Sequence, residues 1–90
     1  MTWVVLPISE YVGKYIEYTP PKKWHDYHEL RYGRVYAVDK RHHTVSAMSY
    51  FDAFTGYEEV TIPQDCIIRV SDKPIGHSAV PDNKMPNLKG

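Results

Sequence analysis

A single cysteine, Cys66, excludes an intrachain disulfide, so packing alone must hold the fold. An unpaired thiol suits a reducing compartment, and the expected location is cytoplasmic. Long apolar runs are missing too: none nears the roughly 20 residues a membrane-crossing helix needs, so no membrane association is expected. The opening segment Met1 to Leu6 has no basic leader and breaks at Pro7, which reads residues 1–10 as an apolar arm or extra strand, not a signal or anchor. Net charge is also absent. Eleven Lys and Arg balance eleven Asp and Glu, so the whole chain lacks the positive field that drives sequence-independent binding to phosphate backbones. The five glycines stand one at a time, which excludes a phosphate-cradling loop.

Catalytic and metal-binding patterns are equally sparse. Cys66 lies in an apolar β-type run and reads as a small core residue, since a catalytic thiol needs partial exposure and a lowered pKa. Glu58 and Glu59 are adjacent in a strand and face opposite sides of a sheet, so they make no acid–base couple. The histidine pairs His25/His28 and His42/His43 combine with Asp26 or Cys66 into a zinc set only if the fold gathers them, and neither a second cysteine nor a His-Glu-x-x-His motif supports that. The expectation is a chain without metal, cofactor or catalytic site.

Tyrosine is what the sequence has in excess: eight, against two Trp and two Phe. Tyr carries an apolar body and a polar tip, so it serves equally to cover an undersized core or to build a contact surface. Ninety residues fit one domain, and a chain this short must use nearly all its apolar stretches for packing. Those stretches are short, β-branched and aromatic, and Gly, Pro, Asn and Asp punctuate them at strand-like intervals.

Five strands are expected. The first covers Tyr11 to Tyr18, with Val12, Ile16 and Tyr18 alternating with Gly13, Tyr15 and Glu17, and Thr19-Pro20-Pro21 ends it. Residues 22–30 form a long polar and aromatic loop. Arg34 to Val38 is the second strand, opened by Gly33, and Asp39 to His43 the following turn. Thr44 to Phe51 is the third. After a reversal at Gly56, Tyr57 to Ile62 is the fourth, with Val60 and Ile62 opposite Tyr57, Glu59 and Thr61. Pro63-Gln64-Asp65 then interrupts before a last strand, Cys66 to Val70. From Pro74 onward the chain has too few apolar residues to offset the entropy of ordering, so residues 74–90 are expected to be a flexible, disordered tail. The domain proper is 11–73.

This order of elements, carried by Gly13-Lys14-Tyr15-Ile16, Tyr32 to Asp39 and Ile62 to Val70, resembles the small five-stranded barrel of the Src-homology-3 type. Over residues 11 to 72 the resemblance implies an all-β closed barrel, and the second segment looks like the entry strand of Tudor-like or KOW-like modules. Such barrels bind peptides, modified side chains or nucleic acid between the first loop, the next turn and the exposed face. No acidic cluster with a Trp-Trp signature is present, so a proline-rich ligand is not implied, and the KOW glycine pattern is incomplete.

The candidate contact surface is Trp24, Tyr27, Tyr32, Tyr36 and Tyr50 mixed with Lys22, Lys23, Arg31 and Arg34, because Trp, Tyr and Arg are the residue types that most often anchor interfaces. It defines a non-catalytic module, a small regulatory or accessory protein that docks on a partner protein. The charge distribution supplies an alternative. Residues 14–43 hold seven basic groups (Lys14, Lys22, Lys23, Arg31, Arg34, Lys40, Arg41) against four acidic ones (Glu17, Asp26, Glu29, Asp39), whereas 44–74 hold five acidic and two basic. A basic half with interleaved aromatics is what single-stranded RNA or DNA binding requires.

Overall fold

The structure, a computed structural model, describes residues 6–21, 30–52, 54, 56–76 and 80–86. Five strands, β1 (Tyr15–Tyr18), β2 (Arg31–Asp39), β3 (Thr44–Asp52), β4 (Gly56–Pro63) and β5 (Ile67–Ser71), form one antiparallel sheet in the order β4-β3-β2-β1-β5. The all-β expectation holds. Lys22, Lys23, Trp24 and Tyr27, together with His25, Asp26 and His28, lie outside the described residues.

The first expected strand is shortened for a local reason. Ile8–Tyr11 is a single 3-10 turn after Pro7, and Gly13 adopts φ 85°, a left-handed conformation that breaks an extended run. The strand keeps only Tyr15 to Tyr18, while Gly13 and Lys14 still exchange backbone bonds with Val35 at 2.9 Å. Asp39 shapes the tight turn between β2 and β3: its Oδ1 accepts from the Arg41 and His42 backbone N–H groups at 2.9 and 3.2 Å, while His43 takes φ 55°.

Closure of the sheet is where the expected barrel fails. β5 pairs with β1 and not with β4, which leaves β4 and β5 as open edges. Pro63, the last residue of β4, has no N–H for a ladder, and the 3-10 turn Gln64–Cys66 carries the chain across to the far side of the sheet. There the Thr19 N–H donates to the Cys66 carbonyl at 2.9 Å, and on the other side the Gln64 N–H donates to His43 at 2.9 Å. Cys66 is thus half-buried in a turn and is not the core residue of a strand. Register shifts at Glu17/Tyr18, Val35/Ala37 and Tyr50/Asp52 add local twist, so the sheet curls around its contents without joining its ends.

Alternation then divides the sheet into two faces. Ile16, Tyr18, Val35, Val45, Ala47, Val60 and Ile62 point inward and are buried; Tyr11 of the first 3-10 turn closes one end, with Leu6, Ile8, Val38, Ile67 and Val70 packed around the cluster. Gly33 sits between Ile16 of β1 and Ser49 of β3, and a Cβ there would lie 2.9 Å from the Met48 carbonyl oxygen. Only hydrogen fits.

Part of the segment expected to be a disordered tail is seated on the sheet. Val80 is 3% exposed, and the Arg34 guanidinium donates through Nη1 to the Val80 carbonyl at 3.3 Å and to Asp82 Oδ1 at 2.6 Å.

Candidate binding face

Among the described residues, the outer face of the sheet gathers the tyrosines that the core does not use. Tyr11 and Tyr18 are buried inside. Tyr15, Tyr32, Tyr36, Tyr50 and Tyr57 share the opposite face and are half-buried, so five of the eight lie there and none of these five is sealed in the interior. Tyr32 and Arg34 follow from strand alternation in β2. Tyr36 is the extra residue of the Val35/Ala37 bulge, and its hydroxyl reaches Glu59 and Ser46, both outward-facing. Tyr50 and Tyr57 are directly opposed in β3 and β4, with ring centroids 5.6 Å apart at 65°, the edge-to-face arrangement that aromatic quadrupoles favour.

Arg31 does not join this face. It opposes Tyr18 in the β1–β2 register, on the inward side at the end of the sheet. Of the nine residues the sequence singles out, the structure therefore brings Tyr32, Arg34, Tyr36 and Tyr50 together, separates Arg31, and leaves four outside its description. Tyr15, Glu17, Tyr57, Glu59 and Arg69 belong to the face and were not among the candidates. Alternation held the signal: Glu17 and Glu59 mark their side of β1 and β4 as outward and carry Tyr15 and Tyr57 with them.

Carboxylates fix two of the rings. Glu17 lies between Arg69 of β5 and Tyr32 of β2 in the ladder, with Arg69 Nε 3.3 Å from Glu17 Oε1. The Tyr32 hydroxyl donates to the Glu17 carboxylate, which holds its pKa above the ordinary value. Burial raises the Tyr36 pKa, and the bond from its hydroxyl to Glu59 raises it further. Both hydroxyls stay protonated at neutral pH and act as donors. Arg34 lies over the Tyr15 ring, its guanidinium carbon 5.2 Å from the centroid, a cation–π contact. Ser46 and Thr61 bond across β3 and β4 at 3.0 Å. The face is an aromatic plane with alternating charge, in which the cations Arg34 and Arg69 each have a carboxylate partner.

Phe54, at the β3–β4 reversal next to the Tyr50/Tyr57 pair, is fully exposed. Elsewhere a cleft of about 210 Å³ opens between Leu6, Glu10, Lys14, Val70, Ser71 and Asp72, with the Lys14–Asp72 ion pair in its wall. Among the described residues no group of three or more His, Cys, Asp or Glu side chains gathers for a metal ion, and His42 is spent on Asp39 at 2.8 Å. No helix of the described residues is long and apolar enough to cross a membrane. Comparison of the chain with protein-family models, with curated proteins and with solved structures finds no match.

Proposed function

We propose that the protein is a non-catalytic binding module that docks on a partner protein through the outer face of its sheet. The observation that carries this reading is the half-burial of Tyr15, Tyr32, Tyr36, Tyr50 and Tyr57 on one surface, with Arg34 among them. Rings whose hydroxyls are already tethered to Glu17 and Glu59 lose little rotamer freedom on binding, and rigid amphipathic area of this kind favours interface anchors. In this proposal the module is of the Src-homology-3 type. The tight β2–β3 turn and the one-turn 3-10 break before β5 support that placement. The half-buried single thiol of Cys66 is consistent with a cytoplasmic setting.

Among the described residues of the face, Arg34 and Arg69 each pair with a carboxylate, which favours a protein over a nucleic acid. Affinity capture with nuclease-treated and untreated lysate tests the reading. The Trp24→Ala, Tyr36→Ala and Tyr50→Ala chains are expected to lose one and the same protein while melting near the parent temperature. Recovery of that protein by all three removes the proposal, and salt-sensitive binding of single-stranded RNA by the parent chain replaces it with the nucleic-acid alternative.

A further inference from the structure

We propose that the free edge of β4 takes up an extended basic strand from the partner, which adds to the sheet antiparallel to β4. The inference rests on the protein-binding reading and names the backbone conformation and the charge of what is bound.

Backbone parity shows what this edge offers. The Gln64 N–H donates to the His43 carbonyl at 2.9 Å, which continues the register in which Pro63 faces Thr44. In an antiparallel ladder the N–H and C=O of one residue point to the same side, and successive residues alternate. Ile62, Val60 and Glu58 therefore share the side of Gln64 and bond to β3, whereas Tyr57, Glu59, Thr61 and Pro63 turn their backbone groups to the open edge. Pro63 thus stands where a missing N–H costs the ladder nothing. Among the described residues no strand pairs with the Tyr57, Glu59 and Thr61 donors, and the β3–β4 register runs without a shift from Tyr57 to Pro63. The other edge is different. β5 has five residues, and its register shift leaves Ile68 outside the ladder, a bulge of the kind that blunts an edge.

Charge selects the occupant. Residues 44–63, which span β3 and β4, carry Asp52, Glu58 and Glu59 and no Lys, Arg or His. Glu58 and Glu59 are exposed and, as neighbours in a strand, stand on opposite faces of the sheet. A strand laid along β4 with two successive basic residues sets one against each carboxylate, and opposite charges across a ladder stabilise it while like charges destabilise it. A second copy fits badly. The two-fold pairing that engages Tyr57, Glu59 and Thr61 of both copies sets Glu59 directly against Glu59. In the antiparallel register the residue two places beyond the one opposite Glu59 meets Tyr57, so strand addition here extends the aromatic face.

The probe is the peptide acetyl-Val-Thr-Val-Arg-Lys-Tyr-amide, which sets its Arg against Glu59, its Lys against Glu58 and its Tyr against Tyr57. It is titrated into the full chain and followed by amide resonances and hydrogen exchange. At saturating probe the Tyr57, Glu59 and Thr61 amides are expected to shift and to exchange roughly tenfold more slowly, while Glu58 and Val60, already bonded to β3, keep their exchange rates. Affinity should fall about fivefold or more for a probe with Glu-Glu in place of Arg-Lys, and for the chain carrying Glu58→Gln with Glu59→Gln. N-methylation of the probe's Thr and Arg, whose N–H groups face β4, should abolish binding; N-methylation of its two Val residues, whose N–H groups face away, should leave it intact. Unmoved edge amides, equal binding of the acidic probe, or equal effects of the two methylation patterns overturns the proposal. So does concentration-dependent self-association of the parent chain that protects the same three amides without probe, which makes a second copy the occupant. Failure here with capture still lost in Tyr36→Ala and Tyr50→Ala removes only the strand site, whereas probe binding with capture unaffected by those variants supports it and removes only docking through the aromatic face.

Discussion

The Tyr18 hydroxyl and the Ser49 hydroxyl meet 2.7 Å apart in the buried interior, and the direction of their bond is settled by a third group. Ser49 Oγ donates its one proton to the Tyr32 carbonyl at 3.0 Å, so Tyr18 must be the donor to Ser49. Removing the acceptor and removing the donor are then unequal. Ser49→Ala strands the Tyr18 O–H in the core, at about 1–3 kcal/mol, whereas Tyr18→Phe leaves Ser49 still bonded and costs about 0.5–1.5 kcal/mol. In a domain of this size roughly 4–8 °C of melting temperature accompanies each kcal/mol, so Ser49→Ala should melt clearly below Tyr18→Phe. The reverse order would mean that Ser49 is the donor.

The same pair predicts the alkaline limit of the fold. Burial pushes the Tyr18 pKa above its ordinary 10.0, opposed in part by the charge of Arg31. A folded-state pKa raised above the unfolded value leaves stability intact below pH 10 and erodes it as pH rises beyond, because the unfolded chain then gives up its proton first. Denaturation midpoints should fall above pH 10 more steeply for the parent chain than for Tyr18→Phe. Parallel curves would show that Tyr18 ionises freely in the folded state.

Gly33 offers a test of strand packing independent of charge. Its missing side chain lets β3 approach to where a Cβ would stand 2.9 Å from the Met48 carbonyl. The neighbour is backbone and cannot rotate away, so Gly33→Ala must spread the β2–β3 ladder, at about 1–3 kcal/mol by analogy with overpacked cores. Chemical denaturation of the variant measures it. A loss well below that range would show that the ladder shifts cheaply.

Much of this architecture is legible in the sequence where a two-residue period runs unbroken. The stretch 57–62 sorts Val60 and Ile62 inward and Tyr57, Glu59 and Thr61 outward, and the structure does the same. Closure is not legible, because it depends on whether β4 and β5 pair, and nothing in Pro63-Gln64-Asp65 states how far the 3-10 turn carries the chain. Arg31, expected on the aromatic face, falls on the opposite side because strand alternation groups it with Gly33 and Val35 and not with Tyr32 and Arg34. The seat of Val80 left no trace at all. One apolar residue among Pro, Asp and Asn has no periodicity, and its contact, Arg34, lies 46 positions earlier.

The β2–β3 turn carries an acid-sensitive clamp. The His42 side chain and the His42 and Arg41 backbone N–H groups hold the Asp39 carboxyl below its ordinary 3.8. A lowered folded-state pKa contributes stability above the unfolded value and loses it as pH falls through the folded one. Asp39→Ala should therefore melt below the parent near pH 6, and the gap should narrow as the pH drops below 3.8. A gap unchanged by acid would trace the loss to something other than the carboxylate.

Tyr32 reports directly on the outer face through which docking is proposed. Its raised pKa comes first from the hydrogen bond to Glu17, with burial and the Glu17 charge adding to it and Arg69 opposing. Glu17→Gln removes the negative acceptor and frees Arg69, so Tyr32 should titrate earlier, which absorbance at the phenolate band would register as one tyrosine moving down toward its ordinary range. Arg69→Ala should move it the other way, since the cation that opposes the shift is gone. Both variants leave the core cluster untouched, and because Glu17 anchors the ring on which Gly76 stacks, Glu17→Gln should also loosen the segment at Arg34. A Tyr32 titration that ignores both substitutions would detach the hydroxyl from Glu17, and with it the ring rigidity on which the proposed docking through this face rests.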